Sequence, residues 1–146
     1  MNKNEWRDAY VDWLEKFYWR WFCTLTFRPE LPEAHARWRM RKWVSALRAE
    51  LGTEEFGFFA VREYGTTGMD FHYHILVTGL RDWHAEERVE WMRRWFKLAG
   101  DASITEFKPG CGGVRYILKF VGPNDQDATQ FELSSASQMP EQFPTK

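Results

Sequence analysis

The chain has 146 residues, a formal net charge of −1, nine tryptophans and two widely separated cysteines. This length suits one domain with its own hydrophobic core, so neither disulfides nor structural zinc are required. No apolar run is long enough to span a membrane, and the charged first residues lack a signal-peptide core, so we expect a cytoplasmic protein that is not membrane-bound.

The first third of the chain predicts a helix, a strand and a second helix. Residues 4–18 place large apolar side chains at helical spacing. The segment RWFCTLTF (20–27) is rich in aromatic and β-branched residues and predicts a strand, which the turn formers in RPELPE end. An apolar stripe predicts a helix over 33–51, and Gly52 supplies its stop.

The following segments predict a hairpin, a helix, a strand and a short helix. EFGFFAVREY (55–64) and FHYHILVT (71–78) read as two antiparallel strands around a turn. A helix is predicted over 82–99, a strand over 102–107 and a short helix over 114–121. The residues expected to face inward from the 82–99 helix are Val89, Met92, Phe96 and Ala99.

This order of elements predicts an α+β fold. We expect a central antiparallel sheet of about four to five strands with flanking helices, in the split βαβ arrangement of ferredoxin-like and RRM-like domains. The predicted domain covers residues 1–121. Residues 122–146 are polar with few apolar anchors, so we expect a poorly ordered tail. Most of the tryptophans are expected to fill the core.

Two histidines in the second hairpin strand suggest a metal site. Side chains alternate across a strand, so His72 and His74 share a face while Tyr73 points away. Glu63 lies on the preceding strand and can fold alongside them as a third ligand; Asp70 is the rival for that role. A carboxylate with two imidazoles leaves open coordination positions and favours Mg²⁺ or Mn²⁺.

The segment VRYILKFV (114–121) presents a tyrosine that packing does not explain. Its aliphatic side chains form one face of a helical wheel, and Tyr116 and Lys119 lie opposite. A nearby cation or metal favours a phenolate, the stronger nucleophile, and Lys119 could contact a phosphate.

Two further groups of residues are candidates for contacting DNA. The hydroxyls of Thr24 and Thr26 share one face of their strand and could donate to phosphates, although threonine is also a common strand former. The segment RWRMRK contains four basic residues, which could position DNA or simply form a solvated helix face: Arg37, Arg39, Arg41 and Lys42.

Three short motifs, in this order, resemble those of the HUH endonuclease superfamily, in particular the rolling-circle replication initiators (Rep proteins) of plasmids and phages. TLTF (24–27) is similar to their first motif, HYH (72–74) to their His-hydrophobic-His motif, and YILK (116–119) to their Tyr-x-x-Lys motif. The resemblance spans roughly residues 20–121.

This resemblance implies a metal-dependent, sequence-specific nickase that also rejoins strands of single-stranded DNA at an origin or a hairpin. By position, His72, His74 and Glu63 would hold Mg²⁺ or Mn²⁺, Tyr116 would form a 5′-phosphotyrosine and Lys119 would assist. The sequence contains no G-x-x-x-x-G-K-[ST] phosphate loop, so a host helicase and polymerase are expected partners.

Three alternatives stay open. Single-strand transposases of the same superfamily share the motif order, but they tend towards a glutamine downstream of the tyrosine, and Lys119 favours a Rep protein. A non-catalytic module that binds single-stranded nucleic acid would use the aromatic residues and the RWRMRK helix. A hydrolase that uses metal-bound water would need no tyrosine.

Overall fold

The computed structural model describes residues 2–64, 71–119 and 131–133. In chain order the elements are α1 (Lys3–Leu14), β1 (Trp19–Thr26), a 3₁₀ turn (Glu33–His35), α2 (Ala36–Leu51), β2 (Gly52–Tyr64), β3 (Phe71–Leu80), α3 (Ala85–Leu98), β4 (Ala102–Glu106), α4 (Gly113–Leu118) and β5 (Phe131–Leu133).

The described strands form one antiparallel sheet in the order β4-β1-β3-β2-β5. Strands β1 and β2 run parallel to each other but are separated by β3, which pairs with both. This is the split βαβ arrangement, so the predicted α+β fold with an antiparallel sheet is confirmed. The topology puts β3, with its two histidines, in the middle of the sheet.

Both faces of the sheet are covered by helices, and each covered face has its own apolar cluster. Side chains of β1 and β3 at odd-numbered positions, such as Cys23 and Ile75, pack with α2 and α3. Leu76 of β3 instead packs with α1 and α4. Seven of the nine tryptophans are buried in these two clusters, so their predicted role as core residues is confirmed.

The first helix is shorter than predicted, ending at Leu14 rather than at residue 18. The indole Nε1 of Trp19 donates a buried hydrogen bond of 2.8 Å to the carbonyl of Leu14. This bond satisfies a carbonyl of the last helical turn, and Phe17 then packs between the rings of Trp13 and Trp19. The chain therefore turns into β1 three to four residues early.

The predicted inward face of the third helix is wrong at two positions. Val89 and Phe96 are 51% and 58% exposed, whereas Trp91 and Trp95 are buried. Trp95 packs edge-on against Phe27 and donates from Nε1 to the carbonyl of Thr26 at 2.8 Å. The two indoles fill more volume and gain hydrogen bonds when they face the sheet, and this sets the rotation of the helix.

Most of the predicted tail lies outside the described residues, so the boundary at residue 121 stays a prediction. Within the tail, Phe131–Leu133 pair with Phe59–Val61 of β2 and extend the sheet at that edge, an element that was not predicted. In the part of the chain that the structure describes, no helix has the length and apolar character to cross a bilayer.

Candidate active site

The candidate site is built on three neighbouring strands. In the antiparallel register Glu63 of β2 stands opposite His72 of β3, and Thr24 of β1 stands opposite His74. Residues directly opposite each other in such a pair lie on the same face of the sheet. The two histidines, the carboxylate and the threonine therefore project together on the face that α1 and α4 cover.

The ligand atoms of Glu63, His72 and His74 converge, all lying within 4.8 Å of one another. The two histidine Nε2 atoms are 3.2 Å apart, and the carboxylate oxygens of Glu63 lie 3.3 Å from Nε2 of His74 and 3.7 Å from Nε2 of His72. Donors about 2.1–2.2 Å from a shared ion lie about 3.0–3.5 Å apart. These three side chains could hold a divalent metal ion with little rearrangement.

The chemistry of the donors also suits a metal. Burial of His74, reinforced by the nearby His72 and Lys119, lowers its pKa from 6.5 to about 4. The imidazole is thus neutral at pH 7, the form that ligates metals. A carboxylate beside two imidazole nitrogens is a mixed donor set, which Mn²⁺ accepts and Mg²⁺ tolerates.

The Thr24 side chain holds His74 from the other side of its ring. The Thr24 hydroxyl oxygen lies 3.2 Å from Nδ1 of His74. When Nε2 is a ligand, the imidazole proton resides on Nδ1 and can be donated to this hydroxyl. Such an outer contact fixes the orientation and tautomer of a ligating histidine.

Helix α4 carries Tyr116 to the rim of this site. Val114, Ile117 and Leu118 are buried under α1, so the opposite side of the helix faces outward. The Tyr116 side chain is 46% exposed, and its ring centre lies 5.4 Å from that of His74. The phenol is thus next to the candidate ligands and open to solvent.

Lys119 lies against the ring of the same tyrosine. Its Nζ is 3.9 Å from the centre of the Tyr116 ring, in a cation–π contact with the ring face. The predicted proximity of a cation to the tyrosine is present, with the ammonium over the ring.

A model of the replication-associated protein ORF2 family matches residues 20–124. The chain belongs to this family. The matched region begins in β1 and extends past α4, so it contains every one of the predicted ligand, nucleophile and helper residues, while α1 lies before it. No curated protein matches the chain.

The other predicted DNA-contacting residues of this replication-associated protein lie in different places. Thr26 shares the face of the histidines, but its hydroxyl donates to the carbonyl of Asp101 at 3.0 Å and ties β1 to the start of β4. The basic residues of RWRMRK lie on α2, which covers the opposite face of the sheet. The structure does not bring them to the candidate metal ligands.

Within the RWRMRK segment, Arg39 already has a structural partner. Its Nη1 donates at 2.7 Å to the carbonyl of Leu98, at the C-terminal end of α3. Lys42 lies 4.9 Å from the ring centre of Trp38, an aromatic side chain that is 57% exposed. DNA binding by this segment stays a prediction, and it would concern DNA beyond the reaction site.

Sequence reasoning missed two residues around the site. The Phe22 ring contacts both His74 and Tyr116, with ring centres 5.7 and 6.3 Å apart; its position two residues before Thr24 on the same strand face was a usable signal. Arg7 of α1 donates to the end of α4, and no local pattern reveals that contact. The rival ligand Asp70 lies outside the described residues.

Proposed function

We propose that this replication-associated protein is a metal-dependent nickase and strand transferase that initiates rolling-circle replication on single-stranded DNA. One observation carries the proposal: Tyr116 lies beside three converging metal-ligand side chains, its ring 5.4 Å from the ring of His74. A family of replication-associated proteins is consistent with DNA as the substrate.

In this proposal Glu63, His72 and His74 hold Mg²⁺ or Mn²⁺. When bound, the ion would act as a Lewis acid on a phosphate oxygen of the scissile linkage. Burial of His74, which has a side chain only 5% exposed, keeps one ligand neutral and fixed. Glu63 supplies the negative charge that attracts the ion to this face.

The phenol oxygen of Tyr116 is the proposed nucleophile. It attacks the phosphorus as its proton leaves, and the bond from phosphorus to the 3′ oxygen breaks; that oxygen takes up a proton to become a 3′ hydroxyl. The downstream strand stays joined to Tyr116 through its 5′ phosphate. Because a phosphodiester is exchanged for a phosphodiester, a 3′ hydroxyl can reverse the step and reseal the strand.

Lys119 is proposed to bind the strand next to the reacting phosphate. Its ammonium lies over the Tyr116 ring, within reach of an oxygen on a phosphate that approaches the phenol. A charge-assisted contact of this kind positions the phosphate as a point charge would. Host helicase and polymerase would supply unwinding and synthesis.

The test is covalent capture of DNA. A random library of single-stranded oligonucleotides, labelled at the 3′ end, is incubated with the protein and Mn²⁺, and labelled protein is resolved under denaturing conditions. We expect an adduct with wild type that EDTA prevents and that Tyr116→Phe abolishes. Tyr18→Phe, which alters a tyrosine that is 70% exposed, serves as the matched control and should react normally.

Two results would contradict the proposal. Adduct formation that persists in Tyr116→Phe would show that another residue is the nucleophile. Cleavage with free 5′ ends and no adduct would instead indicate a hydrolase that uses metal-bound water, and binding with no cleavage would indicate a non-catalytic module.

Metal binding is tested separately, without DNA. Titration of the protein with Mn²⁺, followed by the electron paramagnetic resonance signal of free Mn²⁺, should reveal one site. His72→Ala and Glu63→Gln should weaken it by at least about 10-fold. His35→Ala, which changes an exposed histidine before α2, should leave it unchanged. Equal affinity in all four proteins would exclude this ligand set.

A further inference from the structure

The helix that carries Tyr116 cannot hold its shape alone. It has six residues, and its N-cap residue Gly112 adopts a left-handed conformation with φ of 81° and makes no side-chain cap hydrogen bond. Isolated helices shorter than about 12 residues are marginal in water. Its placement must therefore come from tertiary contacts.

Helix α1 supplies contacts at the end of α4 where Tyr116 lies. The guanidinium of Arg7 donates from Nε to the carbonyl of Leu118 at 3.1 Å and from Nη2 to the carbonyl of Lys119 at 2.7 Å. These carbonyls belong to the last turn, which has no partners within its own helix. A cation at this end also interacts favourably with the helix dipole.

The apolar sides of the two helices complete the contact. Val114, Ile117 and Leu118 are buried in one cluster with aromatic residues of α1, among them Trp6 and Tyr10. Arg7 is half-buried beside this cluster. The apolar contacts fix which side of α4 faces the protein, and Arg7 fixes the last turn along its axis.

We propose that Arg7 is a positioning residue for Tyr116, acting through the last turn of α4. This inference rests on the proposed nucleophilic role of Tyr116. The amide nitrogen of Lys119 donates to the carbonyl of Tyr116 at 3.3 Å, so the turn that Arg7 clamps includes the tyrosine itself. Loss of the clamp lets that turn fray and moves the phenol away from its place beside His74.

Arg7 precedes the family match, which begins at residue 20. The catalytic placement of the tyrosine thus depends on a helix outside the matched region. Reaction rates are sensitive to such placement, since a displacement of about 1 Å can cost about 100-fold.

The experiment compares Arg7→Gln, Arg7→Lys and Asp8→Asn by the single-turnover rate of adduct formation at saturating oligonucleotide with Mn²⁺. Asp8 is the matched control, because it also joins α1 to α4, through an ion pair with Arg115 at 2.9 Å in which both side chains are more than half exposed. Exposed pairs of this kind contribute little.

We expect Arg7→Gln to slow adduct formation by about 10- to 100-fold, with the dissociation constants for oligonucleotide and Mn²⁺ unchanged within about two-fold. Arg7→Lys should recover only part of the rate, because an ammonium lacks the planar fork that reaches two carbonyls. Asp8→Asn should react at the wild-type rate. A wild-type rate in Arg7→Gln, or parallel losses of rate and of binding, would overturn the proposal.

A second readout does not depend on activity. The amide hydrogens of Tyr116 and Lys119 should exchange with solvent at least about 10-fold faster in Arg7→Gln than in Asp8→Asn, because the last turn opens more often. Unchanged exchange would overturn the clamp even if the rate fell. If wild type itself forms no adduct, the proposed function fails, and the exchange rates still report whether Arg7 holds α4.

Discussion

At the scale of single residues, His74 connects most of the candidate site. Its Nε2 lies 3.2 Å from that of His72 and 3.3 Å from a Glu63 oxygen, while its Nδ1 lies 3.2 Å from the Thr24 hydroxyl. Its ring also stands nearly edge-on to that of Tyr116, at 72°. The orientation of this one imidazole therefore bears on both metal binding and the setting of the tyrosine.

Thr24→Val tests the outer contact. Valine keeps the shape of the side chain but removes the hydroxyl that orients His74, so we expect Mn²⁺ affinity to fall by about 10-fold in a calorimetric titration. Thr26→Val is the control, since the Thr26 hydroxyl bonds Asp101. Equal Mn²⁺ affinities in the two variants would show that the Thr24 contact does not support the site.

The residue types of the site could be predicted from the sequence, but their distances could not. Strand alternation alone puts His72 and His74 on one face. The pairing of Glu63 with His72 depends on the hairpin register, in which a slip of one residue would turn the carboxylate to the other face. The contact of Thr24 with His74 joins strands 50 residues apart, and nothing in the local sequence sets that register.

At the scale of elements, α3 shows how two apolar stripes compete. The sequence offers Val89, Met92 and Phe96 at helical spacing, and equally Trp91 and Trp95. Periodicity cannot choose between overlapping stripes. The choice is made by the core, where Trp95 is fully buried and donates to the carbonyl of Thr26.

This rotation of α3 predicts unequal costs for two adjacent substitutions. Trp95→Ala should lower the free energy of unfolding by about 3–5 kcal/mol, because it leaves a cavity and an unpaired carbonyl. Phe96→Ala removes a side chain that is 58% exposed and should change it by less than about 0.5 kcal/mol. Urea denaturation of both variants measures the difference, and comparable losses would place Phe96 in the core after all.

At the scale of the whole molecule, the two faces of the sheet carry different properties. The face under α1 and α4 holds the converging ligands and Tyr116, whereas α2 on the other face carries five basic side chains and one acidic side chain. The net charge of −1 conceals this separation. A short strand bound at the reaction site would not reach the α2 cations.

Two lysine substitutions distinguish the faces. Lys119→Gln should slow adduct formation on a short oligonucleotide by at least about 10-fold, because it removes a charge-assisted contact beside Tyr116. Lys42→Gln, on α2, should leave the rate within about two-fold of wild type. The rates are compared at one fixed salt concentration. A larger effect from Lys42 would mean that DNA at the reaction site extends to the opposite face.

The account depends most on Tyr116 as the residue that carries the DNA. The direct measurement is mass spectrometry of the adduct after nuclease trimming and digestion with trypsin, which cleaves after Arg115 and Lys119 and releases a peptide that begins at Tyr116. The account predicts a nucleotide joined through its 5′ phosphate to that peptide. A nucleotide on a peptide with any other tyrosine, or on none, would contradict it.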